Sequence, residues 1–216
     1  MFSRVLFRSA NYGAAVTAPA NPVREGYSFA GWSPAIPVTM PAANTTVTAQ
    51  WTANSYTLSF DTAGGSTVAA ASYDFGAAVT APQAPTREGY SFAGWTPTVP
   101  TTMPSANTTV TAQWTVNAYT ITFDSAGGSA VAPISANFGA AVIAPANPTR
   151  EGFTFVRWDP VVPATMPAQN LALTAQYEQI QLTVTATVTG EASISPATQQ
   201  VNYGSAATLE LSLTNP

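Results

Sequence analysis

Three glutamates recur at one spacing in this chain, and a carboxylate at a repeated position could act as an acid or a base. Glu25, Glu88 and Glu151 each follow an arginine and precede a glycine, and successive copies lie 63 residues apart. Glycoside hydrolysis needs a pair of carboxylates flanking one bond, and each of these glutamates has a basic neighbour instead. We therefore interpret them as surface-turn residues, where an Arg–Glu ion pair contributes about 0–1 kcal/mol.

Two aspartates that precede glycine pairs, Asp61 and Asp124, could bind calcium. Calcium takes roughly six to eight oxygen ligands, whereas each of these segments carries one acidic side chain. Aspartate is also a common turn residue, because its carboxylate binds the backbone two residues further on. The sequence therefore favours turn capping, and we predict no catalytic residue, no cofactor and no metal site.

Five tryptophans at repeated positions could form a platform on which sugar rings stack. A small domain buries only about 60% of its unfolded-chain surface and needs large apolar side chains for a stable core. We therefore interpret these indoles as core residues and keep the sugar platform as an alternative. The five are Trp32, Trp51, Trp95, Trp114 and Trp158.

Two asparagines, Asn44 and Asn107, each begin an Asn-Thr-Thr segment. Such a segment matches the acceptor site for N-glycosylation. Both asparagines lie where a turn enters a predicted strand, and we assign them no role.

Charge and composition exclude several classes of partner. Ten carboxylates oppose six basic residues, and charged residues make up 7% of the chain. Nucleic acids bind basic patches, which this sequence lacks, so no nucleic-acid partner is predicted. No apolar run reaches the ~20 residues that cross a bilayer, so we predict no membrane insertion in this segment. The absence of cysteine excludes a disulfide framework.

A 63-residue period organises the chain, and a period of this length indicates tandem modules. Its clearest copy is the segment 87–95, whose counterparts are 24–32 and 150–158. The segments that join the copies are too short to be flexible coil, so the connection between neighbouring repeats is predicted to be semi-rigid. The spacing predicts a partial repeat at 11–53, repeats at 54–116 and 117–179, and a truncated, divergent repeat at 180–216.

Alternating apolar residues predict strands in every copy. Tyr56, Leu58 and Phe60 alternate with polar residues, as in a half-buried strand. A tight reversal should follow, with Gly64 and Gly65 at positive φ, and then a second strand near 68–75. Proline-rich segments should cross the module as irregular chain. No amphipathic helix of ten or more residues is present, so the predicted fold is mainly β, or α+β at most.

The predicted core is aromatic, because each aromatic ring buries about 150–250 Å². A strand bulge at Gly94 should turn Trp95 back over this core, although Arg157 replaces that glycine in the third copy. The predicted core residues are Trp32, Trp51, Tyr56, Phe60, Phe75, Tyr90, Phe92, Trp95, Trp114, Tyr119, Phe123, Phe138, Phe153, Phe155, Trp158 and Tyr177. The predicted turn glycines are Gly26, Gly64, Gly65, Gly89, Gly127, Gly128 and Gly152.

Three blocks that recur in constant order resemble a known family. They are the segments 85–95, 110–114 and 119–129. They are similar to the Listeria/Bacteroides repeat, or internalin-type B repeat, over about 11–179. The tail from Gln181 resembles a divergent variant of the same repeat. The resemblance implies small β-grasp-like modules in tandem, like beads on a string, with no catalytic residues to carry over.

The same resemblance implies a bacterial secreted or cell-surface protein in which the repeats act as a stalk or spacer and, in some members, in adhesion. Two alternatives stay open. One is a module that binds a carbohydrate or a receptor protein, and the other is an accessory region of a large secreted enzyme. The predicted partners are therefore an unidentified protein or glycan at most, besides the neighbouring repeats of the same chain.

The first ten residues differ in character from the repeats. Arg4 to Ser9 matches the translation of a sequencing adapter, so we interpret 1–10 as an assembly artefact and exclude it from fold reasoning. Its apolar run is too short for a signal peptide. We expect the true N-terminus and C-terminus to lie beyond this sequence.

Overall fold

The structure, a computed structural model, describes residues 10–190 and 192–213. Most of the predicted artefact, residues 1–9, lies outside these ranges. The described residues form β-strands and no helix, which confirms the mainly β prediction. The strands are β1 (Tyr27–Ser33), β2 (Thr48–Ala53), β3 (Ser55–Asp61), β4 (Ala71–Asp74), β5 (Tyr90–Thr96), β6 (Thr108–Val116), β7 (Ala118–Asp124), β8 (Ile134–Asn137), β9 (Phe153–Asp159), β10 (Leu171–Gln179), β11 (Gln181–Thr185), β12 (Ala192–Ser195), β13 (Thr198–Asn202) and β14 (Glu210–Leu213).

Repeats 2 and 3 each form a mixed four-stranded sheet. The strand order is β4-β3-β6-β5 in repeat 2 and β8-β7-β10-β9 in repeat 3. The first and last strands of each repeat lie side by side and parallel, as β3 with β6 and β7 with β10. The partial repeat 1 has the two-stranded sheet β1-β2, and the tail pairs β11 with β13 and β12 with β14.

The described chain divides into two compact units whose boundary passes through repeat 2. The first unit contains the residues up to Arg87 together with Phe92–Trp114. The second contains Glu88–Ser91 together with the residues from Thr115 onward. The loop 88–91 of repeat 2 therefore belongs to the same unit as repeat 3.

The reversal after β3 differs from the prediction. Residues with positive φ are Ala63 at 48° and Gly64 at 87°, and Gly65 N–H donates to the Thr62 carbonyl at 3.0 Å. Two consecutive positive φ values define a type I′ turn, so the prediction of positive φ at Gly65 is wrong. A Cβ on Gly65 would lie 2.5 Å from the Trp114 indole. Gly65 therefore makes room for the ring, and the next strand begins only at Ala71.

The third repeat turns in the same way. Ala126 and Gly127 have φ of 48° and 85°, whereas a Cβ on Gly128 would lie 2.1 Å from the Tyr177 hydroxyl oxygen. Of the pair Gly127 and Gly128, only Gly127 therefore has the predicted positive φ. Gly128 is required because an aromatic side chain of the last strand occupies the space beside it.

A bulge follows the second aromatic residue of β1 and of β9, Phe29 and Phe155. The β1–β2 register shifts between Phe29 and Gly31, where φ is 130°. In repeat 3 the register of β10 against β9 also shifts, although Arg157 stands in place of the glycine. The bulge therefore does not require glycine. In repeat 2, Phe92 and Trp95 lie on the same face, with ring centroids 5.3 Å apart.

The centre of each core is aliphatic, whereas the predicted core was aromatic. Leu58, Met103 and Val110 are at most 1% exposed in repeat 2. Their counterparts in repeat 3 are Ile121, Met166 and Leu173. The rings form a half-buried layer around these residues. Trp158, at 5% exposed, is the one predicted aromatic in the described chain that is buried. Partly buried rings packed on the two cores are Tyr56, Phe60, Tyr73, Trp95, Tyr119, Phe123, Phe155 and Tyr177.

The buried methionine comes from a proline-rich crossing that shows no periodic pattern. Met103 N–H donates to the Ala77 carbonyl, and the Met103 carbonyl accepts from Gly76 N–H, both at 2.9 Å. These two bonds hold the crossing segment against the module and direct its one long apolar side chain inward. Strand and helix periodicity could not predict that this residue is buried, because it lies in irregular chain.

Replacing Leu58 by Ala should destabilise repeat 2 by about 2–5 kcal/mol, because it removes buried methyl groups and leaves a cavity. Amide hydrogen exchange is the suitable measurement, since it follows each sheet separately. Protection should fall in β3 and β6, whereas Val38→Ala, at a side chain 82% exposed, should change little. Unchanged exchange in β3 after Leu58→Ala would contradict this assignment of the core.

Candidate functional site

The aspartates that could bind calcium lie in turns, and two of the repeated glutamates, Glu25 and Glu151, lie at repeat boundaries. The Asp61 carboxylate accepts from Ala63 N–H at 3.0 Å, and Asp124 accepts from Ala126 N–H at 2.9 Å. The described residues contain no group of three or more His, Cys, Asp or Glu side chains that could hold a metal ion. In the same part of the chain, no helix is long and apolar enough to span a membrane.

The aromatic rings pack edge to face rather than presenting parallel open faces. Trp95 lies 5.1 Å from Phe60 and 5.3 Å from Phe92, and Phe92 lies 5.6 Å from Trp114 at an interplanar angle of 72°. Repeat 3 repeats this packing, with Trp158 4.9 Å from Phe123. Such edge contacts contribute about 0.5–1.5 kcal/mol each beyond burial. The rings therefore stabilise the modules.

The repeated arginines lie over aromatic rings. The Arg24 guanidinium is 3.8 Å from the Tyr27 ring centroid, and that of Arg150 is 4.0 Å from Phe153. Arg87 lies 5.9 Å from the Trp114 ring. These are cation–π distances, so the interpretation of Arg24 and Arg150 as partners in Arg–Glu ion pairs is replaced by stacking.

A single residue joins the last strand of each repeat to the first strand of the next, and both of its backbone groups are hydrogen-bonded. Its N–H donates to the carbonyl of the repeated turn glycine in the preceding repeat, and its carbonyl accepts from the N–H of an aromatic residue in its own repeat. The donor distances to the glycine carbonyl are 2.9 Å for Asn54 to Gly26, Asn117 to Gly89 and Ile180 to Gly152. The bonds to the joining carbonyl are 2.8 Å from Phe75, Phe138 and Tyr203.

The aromatic ring covers the same glycine. A Cβ on Gly26 would lie 2.3 Å from the Phe75 ring, and one on Gly89 would lie 2.1 Å from the Phe138 ring. At the last junction the counterparts are Gly152 and Tyr203, at 2.4 Å. We call each set of turn glycine, joining residue and covering ring a junction clamp. Each clamp lies within one of the two compact units.

The predicted turn glycines of the clamps are in turns with φ of 74–77°. All three are buried, because the ring of the next repeat covers them. Phe75 and Phe138, predicted as core residues of their own repeats, lie at the junctions instead. They contact Tyr27 and Tyr90, respectively, edge to face, with centroids 5.5 and 6.0 Å apart. A repeat therefore does not sequester all of its own rings.

Two of the repeated glutamates bind hydroxyl groups across a junction. Glu25 Oε1 accepts from Ser105 Oγ at 2.6 Å, and Glu151 Oε1 accepts from the Tyr203 hydroxyl at 2.7 Å. The hydrogen bond to Glu151, together with its negative charge, raises the pKa of Tyr203 above the usual 10.0. These carboxylates therefore link side chains of neighbouring repeats.

Sequence reasoning missed the asparagines that tie the two halves of a repeat together. Asn107 Oδ1 accepts from the backbone N–H of Thr57 at 2.8 Å, and Asn170 does the same for Thr120 at 2.9 Å. The recurrence of asparagine at this position was a usable signal, although the bond it makes spans 50 residues of sequence. Asn107, which the sequence marked only as a match to a glycosylation acceptor site, therefore has a structural role.

The last strand also binds the turn of the first hairpin. Trp114 Nε1 donates to the Thr62 carbonyl at 3.0 Å, and the Tyr177 hydroxyl donates to the Ser125 carbonyl at 3.0 Å. Tryptophan and tyrosine are interchangeable here because each presents a donor at the tip of an apolar ring.

The sheets of like strand order in repeats 2 and 3, the recurring turns and the clamped boundaries define a tandem-repeat protein built from small β modules. The family model of the Listeria-Bacteroides repeat domain matches residues 5–52, 56–118 and 119–160. These matches cover more than half of the chain, and the chain belongs to this family. The resemblance noted in the sequence is thereby confirmed.

Relatives with similar sequences include two proteins of Evansella cellulosilytica. One, whose name describes it as a Gly-rich membrane protein, is 33% identical over 72% of this chain and 20% of its own length. The other, described by its name as a membrane protein, is 33% identical over 72% of this chain and 26% of its own. Internalin H of Listeria monocytogenes is 36% identical over 46% of this chain and 21% of its own length. The chain therefore spans about a quarter or less of these relatives.

Substituting Gly89 by Ala should disrupt the second clamp, because the new Cβ would overlap the Phe138 ring. Gly139→Ala is the matched control, since its φ of 75° equals that of Gly89 within a degree and nothing lies within 4 Å of its Cβ position. Both variants carry the same backbone strain, about 1–2 kcal/mol. Hydrogen exchange of the Asn117 and Phe138 amides should accelerate markedly more in Gly89→Ala. Equal effects would show that ring coverage contributes nothing.

The Tyr203–Glu151 bond predicts a pH dependence at the last junction. The raised pKa means that the folded state holds the Tyr203 proton more tightly. The contribution of this bond is therefore complete below pH about 10 and is lost as the pH rises through the folded-state pKa. NMR titration of labelled tyrosine should show the Tyr203 pKa falling towards 10.0 in Glu151→Gln. An unchanged titration in that variant would contradict the assigned cause.

Proposed function

We propose that this chain is the non-catalytic repeat region of a bacterial secreted or cell-surface protein. In this proposal it acts as a stalk or spacer that holds another part of the protein away from the cell. Membership of the Listeria-Bacteroides repeat family supports the proposal, as do the membrane proteins named among its relatives. The small share of those relatives that the chain spans is also in keeping with one region of a longer protein.

The junction clamp is the observation that carries the proposal. A spacer must resist bending where its modules meet, and a flexible linker would allow them to fold back on one another. Here one residue joins adjacent repeats, and both its backbone groups are bonded. Each such hydrogen bond contributes about 0.5–1.5 kcal/mol. The covering ring adds apolar burial at the same point.

A spacer also needs side chains that do not react, and the carboxylates and tryptophans of this chain are engaged in structural contacts. The carboxylates at Glu25 and Glu151 accept hydroxyl hydrogen bonds, and those at Asp61 and Asp124 cap turns. The tryptophan rings pack against phenylalanines rather than forming a flat exposed row. This packing favours the spacer over a carbohydrate-binding module, and adhesion would then belong to surfaces other than these rings.

Small-angle X-ray scattering of the full chain tests the spacer. A compact globule of this length would have a radius of gyration of about 17 Å, and the spacer should have a clearly larger value. A radius near that of the globule would refute the proposal.

Two matched triple variants separate clamp stiffness from general strain in the same scattering experiment. In the first, Gly26, Gly89 and Gly152 are changed to Ala, which fills the space under each covering ring. In the second, Gly13, Gly76 and Gly139 are changed, at φ of 75–79° and with nothing within 4 Å. The first should show the scattering of a flexible chain, and the second should match the wild type. Flexible scattering from the wild type itself would also count against the spacer.

A further inference from the structure

Tension along this chain enters and leaves repeats 2 and 3 through strands that are neighbours in the sheet. Repeat 2 begins with β3 and ends with β6, and repeat 3 begins with β7 and ends with β10. We call β3 with β6, and β7 with β10, terminal pairs. Only Asn117 separates the end of β6 from the start of β7, so tension passes from one repeat to the next without a flexible linker.

The direction of the strands decides how tension loads the bonds of a terminal pair. Both pairs are parallel, so the first residue of the first strand and the last residue of the last strand lie at opposite ends of the pair. A pull on these two residues acts along the strands, and the bonds between the strands carry it together. In an antiparallel pair the same two residues would lie side by side, and the bonds would break one after another.

Each terminal pair has a side-chain bond at either end of its interface. In repeat 3, residues 121–124 lie opposite 171–174. Asn170 Oδ1 accepts from the backbone N–H just before this interface at 2.9 Å, and the Tyr177 hydroxyl donates to the carbonyl just after it at 3.0 Å. Repeat 2 has the same arrangement. The set of bonds that must break together is therefore longer than the strand pairing alone.

Side chains of the core hold each terminal pair in register. Leu58 and Val110 in repeat 2, and Ile121 and Leu173 in repeat 3, are fully buried. Sliding one strand by a single residue would turn these side chains to the opposite face of the sheet. The strands therefore cannot move past each other gradually while they keep part of their bonds.

The rest of the repeat is shielded from the pull while its terminal pair is intact. In repeat 3, β8, the proline-rich crossing segments and β9 all lie between β7 and β10 in the chain. They receive tension only after β7 and β10 have separated. Rupture of the terminal pair is therefore the step that sets the resistance of the repeat to force.

We propose that repeats 2 and 3 are tension-resistant modules, each held closed by its terminal pair, and that the chain acts as a mechanical tether. This inference rests on the proposed spacer function, because tension reaches the repeats when the two ends of the protein are held by separate bodies. Resistance to force is set by the rate of unfolding and not by equilibrium stability. A small module can therefore be strong in the direction in which its terminal pair is loaded.

Two pairs of attachment points in the full chain test the proposal. The sequence contains no cysteine, so DNA handles for optical tweezers attach only where cysteine is introduced. Ala118→Cys with Glu178→Cys pulls along the terminal pair of repeat 3, because these residues lie at its opposite ends. Ala118→Cys with Gln169→Cys peels the pair apart, because both residues lie at the end where the pairing starts. All three side chains are exposed, so the two variants are matched.

Repeat 3 should unfold at a force roughly twofold or more higher when it is pulled along the strands than when it is peeled, since several bonds must then break together. The same comparison in repeat 2 uses Ser55→Cys with Thr115→Cys, and Ser55→Cys with Ala106→Cys. Equal forces in the two geometries would overturn the proposal.

Removal of one side-chain bond separates resistance to tension from general stability. Tyr177→Phe removes the hydroxyl that donates to the Ser125 carbonyl and keeps the ring. This variant should lower the force along the strands and leave the peeling force unchanged, because the bond lies at the far end of the pair from the peeling point. An equal fall of both forces would contradict the role assigned to this bond.

The tether and the spacer fail in different experiments. An extended chain in small-angle scattering whose two pulling geometries give equal forces would refute the tether and leave the spacer standing. A compact chain that resists force only along the strands would refute the spacer and leave the mechanical strength of the repeats established.

Discussion

Parallel pairing between the first and last strands of a repeat is the constraint on which the rest of the module depends. Parallel neighbours cannot be joined by a tight turn, so the chain between them must cross the module. In most proteins a helix makes that crossing. Here proline-rich segments do so, and Met103 and Met166 from these segments close the core that a helix would otherwise cover.

That constraint explains why long-range side-chain bonds appear at fixed positions. An irregular crossing provides few backbone bonds of its own, so the two halves of a repeat need other ties. Asn107 binds the start of β3, and Trp114 binds the turn that follows it. Both residues lie beside or within the last strand, which therefore organises its whole repeat. Gly65 and Gly128 are small for the same reason, because the rings of the last strand lie against them.

The same last strand connects one repeat to the next. Since β6 is followed by Asn117 alone before β7 begins, the strand that completes one sheet leads directly into the strand that starts another. Phe138 then covers Gly89 of the preceding repeat. A junction of this kind uses the turn Arg-Glu-Gly as a binding surface for the neighbour. The contacts at the junctions thus account for the repetition of this motif in mechanical terms.

The sequence alone determined the repeat period, the strands, the mainly β fold and the family, because alternation and recurrence are local properties that a linear chain displays directly. It also indicated correctly that Asp61 caps a turn and that Gly26 lies in a turn. Only the tertiary structure decided which apolar residues reach the centre. Met103 lies in irregular chain, and Phe75 covers a glycine of another repeat, so neither position follows from a local period. Burial depends on what packs above a side chain, and here those partners come from residues tens of positions away or from the neighbouring module.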